Sequence, residues 1–588
     1  MTRSRLVILI SLSMLALFGN PVGIRAASKP DFFSIVPAEA LFCLRVNNLD
    51  GSAGALDQFL AGVAPVPPMA MMIRMKLAEI IGDANMPGID MAGAFGYFLM
   101  AKDADSDPAT FMVIPVSNME ALMSSPAVSK PGDDGIALIT SQFGGEHELA
   151  MLRMDGFVII CPVEQREMLA GLAKPQSSLA QALTPAETAA SKSAPLWARV
   201  NLVKVNALYG DEITAQFEQM QEPTAMIGGG VPGANVFMQG YADGLRSLMK
   251  QSRAMSLSLQ PRAESLTLSM MLVALPGSEL ASTLSLGPSP KGSPELQAYL
   301  EDGALANIYM RINRPLLKKA YASLLDLLMK AQPAEEITKA KALFSKALDA
   351  CGDTLVGTMK ASPGAKPPFA VSYVLQMKDA NVMKEVIKEG TEMMNRGIFA
   401  KMNKDMGLET TYVYQPNALT HSGVAIDSWR MSLKAADANS MEGQMVKSIY
   451  GDGMNGLVAF TDGLALSTAG GDAEASLKRL IDAVKGGVPK GGSAEFRAAL
   501  ALVPDAASAD IIFTYNYLRL FKAIGELMPI PGFSDAVKKI PDSKSNLVVA
   551  ARAGDGRISM DVMLPKAHAK EIVDTVMLIQ AGGMQQMQ

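Results

Sequence analysis

One strand-like phrase recurs along this chain and constrains its fold more than any other feature. It reads Leu41-Phe42-Cys43-Leu44-Arg45-Val46-Asn47, then Pro195-Leu196-Trp197-Ala198-Arg199-Val200-Asn201. It returns as Asn307-Ile308-Tyr309-Met310-Arg311-Ile312-Asn313, and more loosely as Asp510-Ile511-Ile512-Phe513-Thr514-Tyr515-Asn516. An apolar stretch with helical spacing follows each copy. Such self-similarity marks a duplicated architecture, so a side chain that recurs is first read as framework.

A second recurring unit is a hairpin followed by a helix. It spans 95–124, where Ser117 and Glu120 have the spacing of a capping box, and recurs over 255–284, 354–394 and 546–578. The third copy carries Asp379 as its expected helix cap. A related unit turns on Asp-Gly, at Asp155-Gly156 and at Asp462-Gly463, the dipeptide that tight hairpins favour because glycine tolerates positive φ. The modules alternate long and short, at 33–185, 190–285, 300–488 and 505–580. Two halves follow, 30–286 and 293–588, joined by the breaker-rich linker 287–292. Hairpins with returning helices predict an α+β fold of tandem duplicated antiparallel modules, their sheets covered by helices. On the opening strand, Phe42, Leu44 and Val46 should share one face, with Cys43, Arg45 and Asn47 opposite.

The chain of 588 residues is too long for one core, and its 19% charged content argues against disorder. A net charge of -5 with no large basic run removes the footprint of a nucleic-acid binder. Arg3 and Arg5, an apolar run over 6–18 and a small residue at Ala26 read as an export signal over 1–26, cleaved after Ala26. The rest offers no apolar run long enough to span a membrane, so the mature chain is expected in the periplasm or outside the cell. Cys43 and Cys161 either bridge or persist as buried thiols.

At Val36-Pro37-Ala38-Glu39-Ala40-Leu41, followed by Arg45-Val46-Asn47-Asn48-Leu49-Asp50, the chain resembles a bacterial family of exported proteins of unknown function. The resemblance implies export and a large repeated α+β body. It lends no activity and no catalytic residues.

Chemistry is hard to find. His147, His421 and His568 lie far apart in sequence, without partners at zinc spacing. Asp103, Asp105 and Asp107 begin like a calcium loop, but Pro108 and Ile114 stand where glycine and a bidentate glutamate belong. The glycines at 228–230 read as a turn between helices, and adjacency of His421 and Ser422 makes no triad. No catalytic residue, metal or cofactor is expected. Arg45, Arg199 and Arg311 are the anion-binding candidates, against a plainer role as paired framework cations. Met69 and Met72, in a methionine-crowded segment, are candidates for an adaptable apolar surface. The reading is an exported, non-catalytic envelope protein that binds an envelope partner or an apolar ligand. Its alternatives are an envelope hydrolase with a site between modules and a lipid carrier.

Overall fold

A computed structural model of the chain describes residues 31–141, 147–173, 177–227, 234–328, 333–405, 407–435, 439, 441–487, 492–527, 537 and 540–585. The expected export signal over 1–26 and the glycines at 228–230 lie outside them. The chain is α+β, with antiparallel sheets covered by helices. It divides into two compact units: the chain up to Gly210 with Ser252–Leu275 and Leu564–Lys570, and the remainder. These limits differ from halves 30–286 and 293–588, because 211–251 and 276–286 group with the second unit and 564–570 with the first.

The first unit contains β1 (Phe42–Asn47), β2 (Ala94–Met100), β3 (Ala109–Pro115), β4 (Ile136–Ser141), β5 (His147–Met154), β6 (Phe157–Pro162), β7 (Leu196–Asn201), β8 (Ser252–Arg262) and β9 (Ser265–Ala274). They pair antiparallel in the order β4-β5-β6-β3-β2-β1-β7-β8-β9. The second unit holds β10 (Ala306–Arg311), β11 (Cys351–Ala361), β12 (Phe369–Met377), β13 (Leu408–His421), β14 (Val424–Ala435), β15 (Gly453–Thr461), β16 (Leu464–Gly470), β17 (Ile511–Tyr515), β18 (Leu547–Gly554) and β19 (Arg557–Pro565). Its order is β13-β14-β15-β16-β12-β11-β10-β17-β18-β19. The two walks are the same, with β13 added at one edge of the second. In each, two copies of the recurring phrase lie side by side at the centre.

Both faces of the first sheet are buried. Phe42, Leu44 and Val46 join one core with Leu49, Leu77, Ile81 and Leu122 from the covering helices. Cys43 joins another with Phe32, Phe33, Leu169, Leu179 and Trp197. The alternation expected for β1 therefore holds, but the face of Cys43 and Arg45 is covered too. A strand buried on both sides loses the plain inside–outside pattern of a half-wet sheet.

The helix of the first hairpin unit, Met119–Met123, is capped by Asn118, whose side chain accepts from Ala121 N; Ser117 Oγ instead donates to Gly88 O. Asp379 caps Ala380–Met394 as expected, accepting from Asn381 N and Val382 N. Asn201, Asn313 and Asn516, which close three of the phrases, each cap the following helix by accepting from the backbone N–H three residues on. No helix among the described residues is long and apolar enough to cross a membrane.

Candidate functional site

The three recurring arginines meet different fates. Arg199 is buried, and its Nε donates to Glu187 Oε1 at 2.9 Å. Glu187 Oε2 also accepts from Arg253 Nη2, and from the N–H and hydroxyl of Thr184, which caps the helix Pro185–Ser193. Arg311 donates from Nη2 to Asp510 Oδ1 at 3.0 Å and to Ser508 O, and from Nη1 to Ala507 O. Both are framework cations paired with a carboxylate of the chain, although Arg311 Nε is buried without an acceptor among the described residues.

Arg45 is different. Its Nε and Nη1 are buried and have no hydrogen-bond acceptor among the described residues. Its guanidinium carbon lies 4.9 Å from the Phe33 ring centroid and 5.9 Å from that of Phe32. Directly across the strand pair stands Trp197, wholly buried, whose Nε1 also lacks an acceptor. The Phe33 and Trp197 rings meet edge to face at 5.3 Å. Burial draws the Arg45 pKa below its ordinary value, and the charge of Asp31 opposes that shift. A cation on an aromatic face gains about 0.5–2 kcal/mol. Each buried donor left unpaired costs about 1–3 kcal/mol, more when charged. The cluster as built from the chain alone is therefore incomplete.

Register explains the difference. In the first unit Leu44 faces Ala198, which sets Arg45 against Trp197. In the second Tyr309 faces Ile512, so the pairing is slid relative to the phrase and Arg311 N bonds to Asp510 O. The residue matching Asp510 in the phrase is Pro195, which has no carboxylate. Gly96, on the other side of Arg45, completes the enclosure. A Cβ there would stand 2.1 Å from Leu44 O and 2.6 Å from Phe32 Cζ. Gly96→Ala is accordingly expected to destabilise the first unit by about 1–3 kcal/mol through displaced backbone and ring. Urea unfolding measures this, and a loss below about 0.5 kcal/mol, typical of a neutral surface change, would contradict it.

Cys43 and Cys161 are free thiols. Cys43 pairs with Phe98 on β2, and β6 is reached only across β3. At ~4.8 Å per strand spacing the thiols are too far apart to bridge. Burial pushes both up to about 12.

The methionine segment forms the helix Met69–Ile81. Met69 is half-buried, and its N–H donates to Asp57 Oδ1 at 2.7 Å, so Asp57 caps the helix from a distance. Met71, Met72 and Met75 are 63%, 46% and 53% exposed. Of the two methionines named from sequence, Met72 belongs to this outer face and Met69 anchors the helix start.

Elsewhere, Asp103 accepts from the backbone N–H groups of Asp105 and Ser106, which makes that acidic run a hairpin turn. His421 Nε2 and Ser422 Oγ both bond Asp482 Oδ1, at 2.8 and 2.9 Å. The carboxylate sits between the other two, whereas a hydrolytic relay needs the imidazole in the middle. A shallow pocket in the second unit is lined by Glu301, Lys360, Ser476 and Arg479. Its cations are engaged, Lys360 with Glu301 and Arg479 with Ser476.

Sequence reasoning found Arg45 but missed Phe32, Phe33, Gly96 and Trp197. Trp197 carried a signal: it is one of two tryptophans and stands where the other phrases have Cys43, Tyr309 and Ile512.

No protein family and no curated protein matches this chain. A solved structure titled "Structure of crystal form I of TP0453" matches 42% of this chain and 79% of that chain at 14% identity, with a TM-score of 0.21, a likeness too slight to bear on fold or function.

Proposed function

We propose that this protein is an exported, non-catalytic component of the bacterial cell envelope that acts by binding, through the methionine face of the helix Met69–Ile81. The observation that carries this reading is the exposure of Met71, Met72 and Met75 within one turn of the helix Met69–Ile81. Large apolar side chains clustered in water favour an occupant, and unbranched thioethers adapt to varied partners. The helix beneath is firmly set. Leu77 and Ile81 are buried, and Arg74 forks onto Asp50 at 3.0 and 2.7 Å. A rigid helix with a soft outer face suits an apolar segment of an envelope protein. Export is supported by the charged start and apolar run before Ala26.

The test uses the full chain expressed with its leader. The mature protein is expected to start at Ala27 in the envelope fraction, by N-terminal sequencing. A photo-crosslinking residue at Met72 is expected to give discrete adducts there, while the same residue at exposed Val413 gives none. Equal silence or equal labelling at the two positions would sink the binding reading.

A further inference from the structure

We propose that Arg45 and Trp197 form a binding site for a compact monovalent anion, of halide or small carboxylate size, in the first unit. This goes beyond the methionine-face reading and does not depend on it. Three observations converge. Arg45 Nε, Arg45 Nη1 and Trp197 Nε1 are buried donors with no acceptor among the described residues. All belong to directly opposed residues of β1 and β7. The equivalent arginine of the second unit, Arg311, has its anion built in as Asp510. The first unit therefore keeps a cation at a place where its sister carries a neutralised pair.

The surroundings set the class of ligand. Phe32, Phe33 and Trp197 pack edge to face beside Arg45, whose guanidinium lies over the Phe33 ring, so the apolar surroundings keep water from the charge. Nearby Arg199 is neutralised by Glu187, so it leaves the charge of Arg45 as the one to be met. Asp31 faces solvent and spends a carboxylate oxygen on Phe33 N. A donor-only site with a delocalised cation favours an acceptor bearing negative charge over a neutral one. The close walls, held by the glycine at position 96, favour a small anion over a bulky one.

Trp197 reports on the site directly. In Trp429→Phe it is the sole tryptophan of the full chain. Its emission is followed while sodium chloride, bromide or formate replaces a bulky sulfonate salt at constant ionic strength, with sulfate as a divalent control. A saturating response in the millimolar range is expected for at least one monoanion. Bromide quenching should likewise saturate, where simple collision would rise in proportion to concentration. Adding Arg45→Met should raise the half-saturation concentration about tenfold or more, which is about 1.4 kcal/mol. If that variant does not fold by circular dichroism, Arg45→Lys takes its place. Unsaturated responses to every monoanion in the parent would overturn the site, as would a response to sulfate alone or a response unchanged by the Arg45 substitution.

Discussion

Replacing Glu187 with alanine is expected to destabilise the first unit by about 3–5 kcal/mol, the cost of stranding a buried cation. Glu187 is 0% and Arg199 4% exposed, so the guanidinium left behind could not turn to water. The same carboxylate serves Arg253 and Thr184, and its loss also undoes the cap of the helix Pro185–Ser193. Urea unfolding followed by Trp197 emission in the Trp429→Phe background reads the loss. Converting Glu187 and Arg199 together to apolar residues should recover part of it, since no charge is then left unmet. A loss below about 1 kcal/mol for Glu187→Ala would mean that Arg199 finds another acceptor. The pH dependence has a definite sign. Burial raises the Glu187 pKa, but the Arg199 charge and the Thr184 hydrogen bonds outweigh burial and hold it below its ordinary value. Its stabilising contribution is therefore full above the unfolded carboxylate range, near about 4.3, and is lost as pH falls through the lower folded value.

Phe496→Ala is expected to cost the second unit about 3–5 kcal/mol. Phe496 is fully buried in the core that holds Leu296, Tyr309, Val374, Leu466 and Ile512. Its helix, Ala494–Leu500, is fixed at several points, so it cannot slide inward to fill the void. Ser493 Oγ accepts from Phe496 N and donates to Asp302, while Glu495 forks onto Arg519 at 2.7 Å through both oxygens. Hydrogen exchange should show lost protection in β12 and β16, which line that core. Unchanged protection there would show that the neighbouring helix Ala473–Lys485 repacks into the space.

How much of this was legible in the sequence depends on how local the signal is. Asp462-Gly463 announced its hairpin because both residues adopt positive φ, 50° and 73°, as the favoured two-residue turn demands. An asparagine closing each phrase is a local capping signal, which Asn201, Asn313 and Asn516 fulfil within one turn, whereas Asn47 turns its Nδ2 to Ser191 O and Ala194 O and leaves the cap to Asn48. The cap at Asn118 was missed by one residue, since Ser117 has the better-known spacing but its hydroxyl is drawn to Gly88. β13 has no counterpart among the described strands of the first unit, so repetition could not point to it. Arg45 shows the limit most clearly. Its phrase matches those of Arg199 and Arg311, and likeness argued for one shared role. What separates them is which residue lies opposite, and strand register is set by whole faces seeking burial. The incomplete cluster exists only after β1 and β7 have paired.

That pairing carries a consequence for how the molecule is made. At the central seam Asn47 Nδ2 reaches Ala194 O across 147 residues of chain. Contacts so distant along the polymer close late, because the entropy of the intervening loop is surrendered first. During synthesis, β1 can satisfy one side through β2 but must keep the other bare until β7 emerges. A nascent chain halted before Leu196 thus presents an open strand edge, the kind of surface that invites self-association and that holding factors recognise.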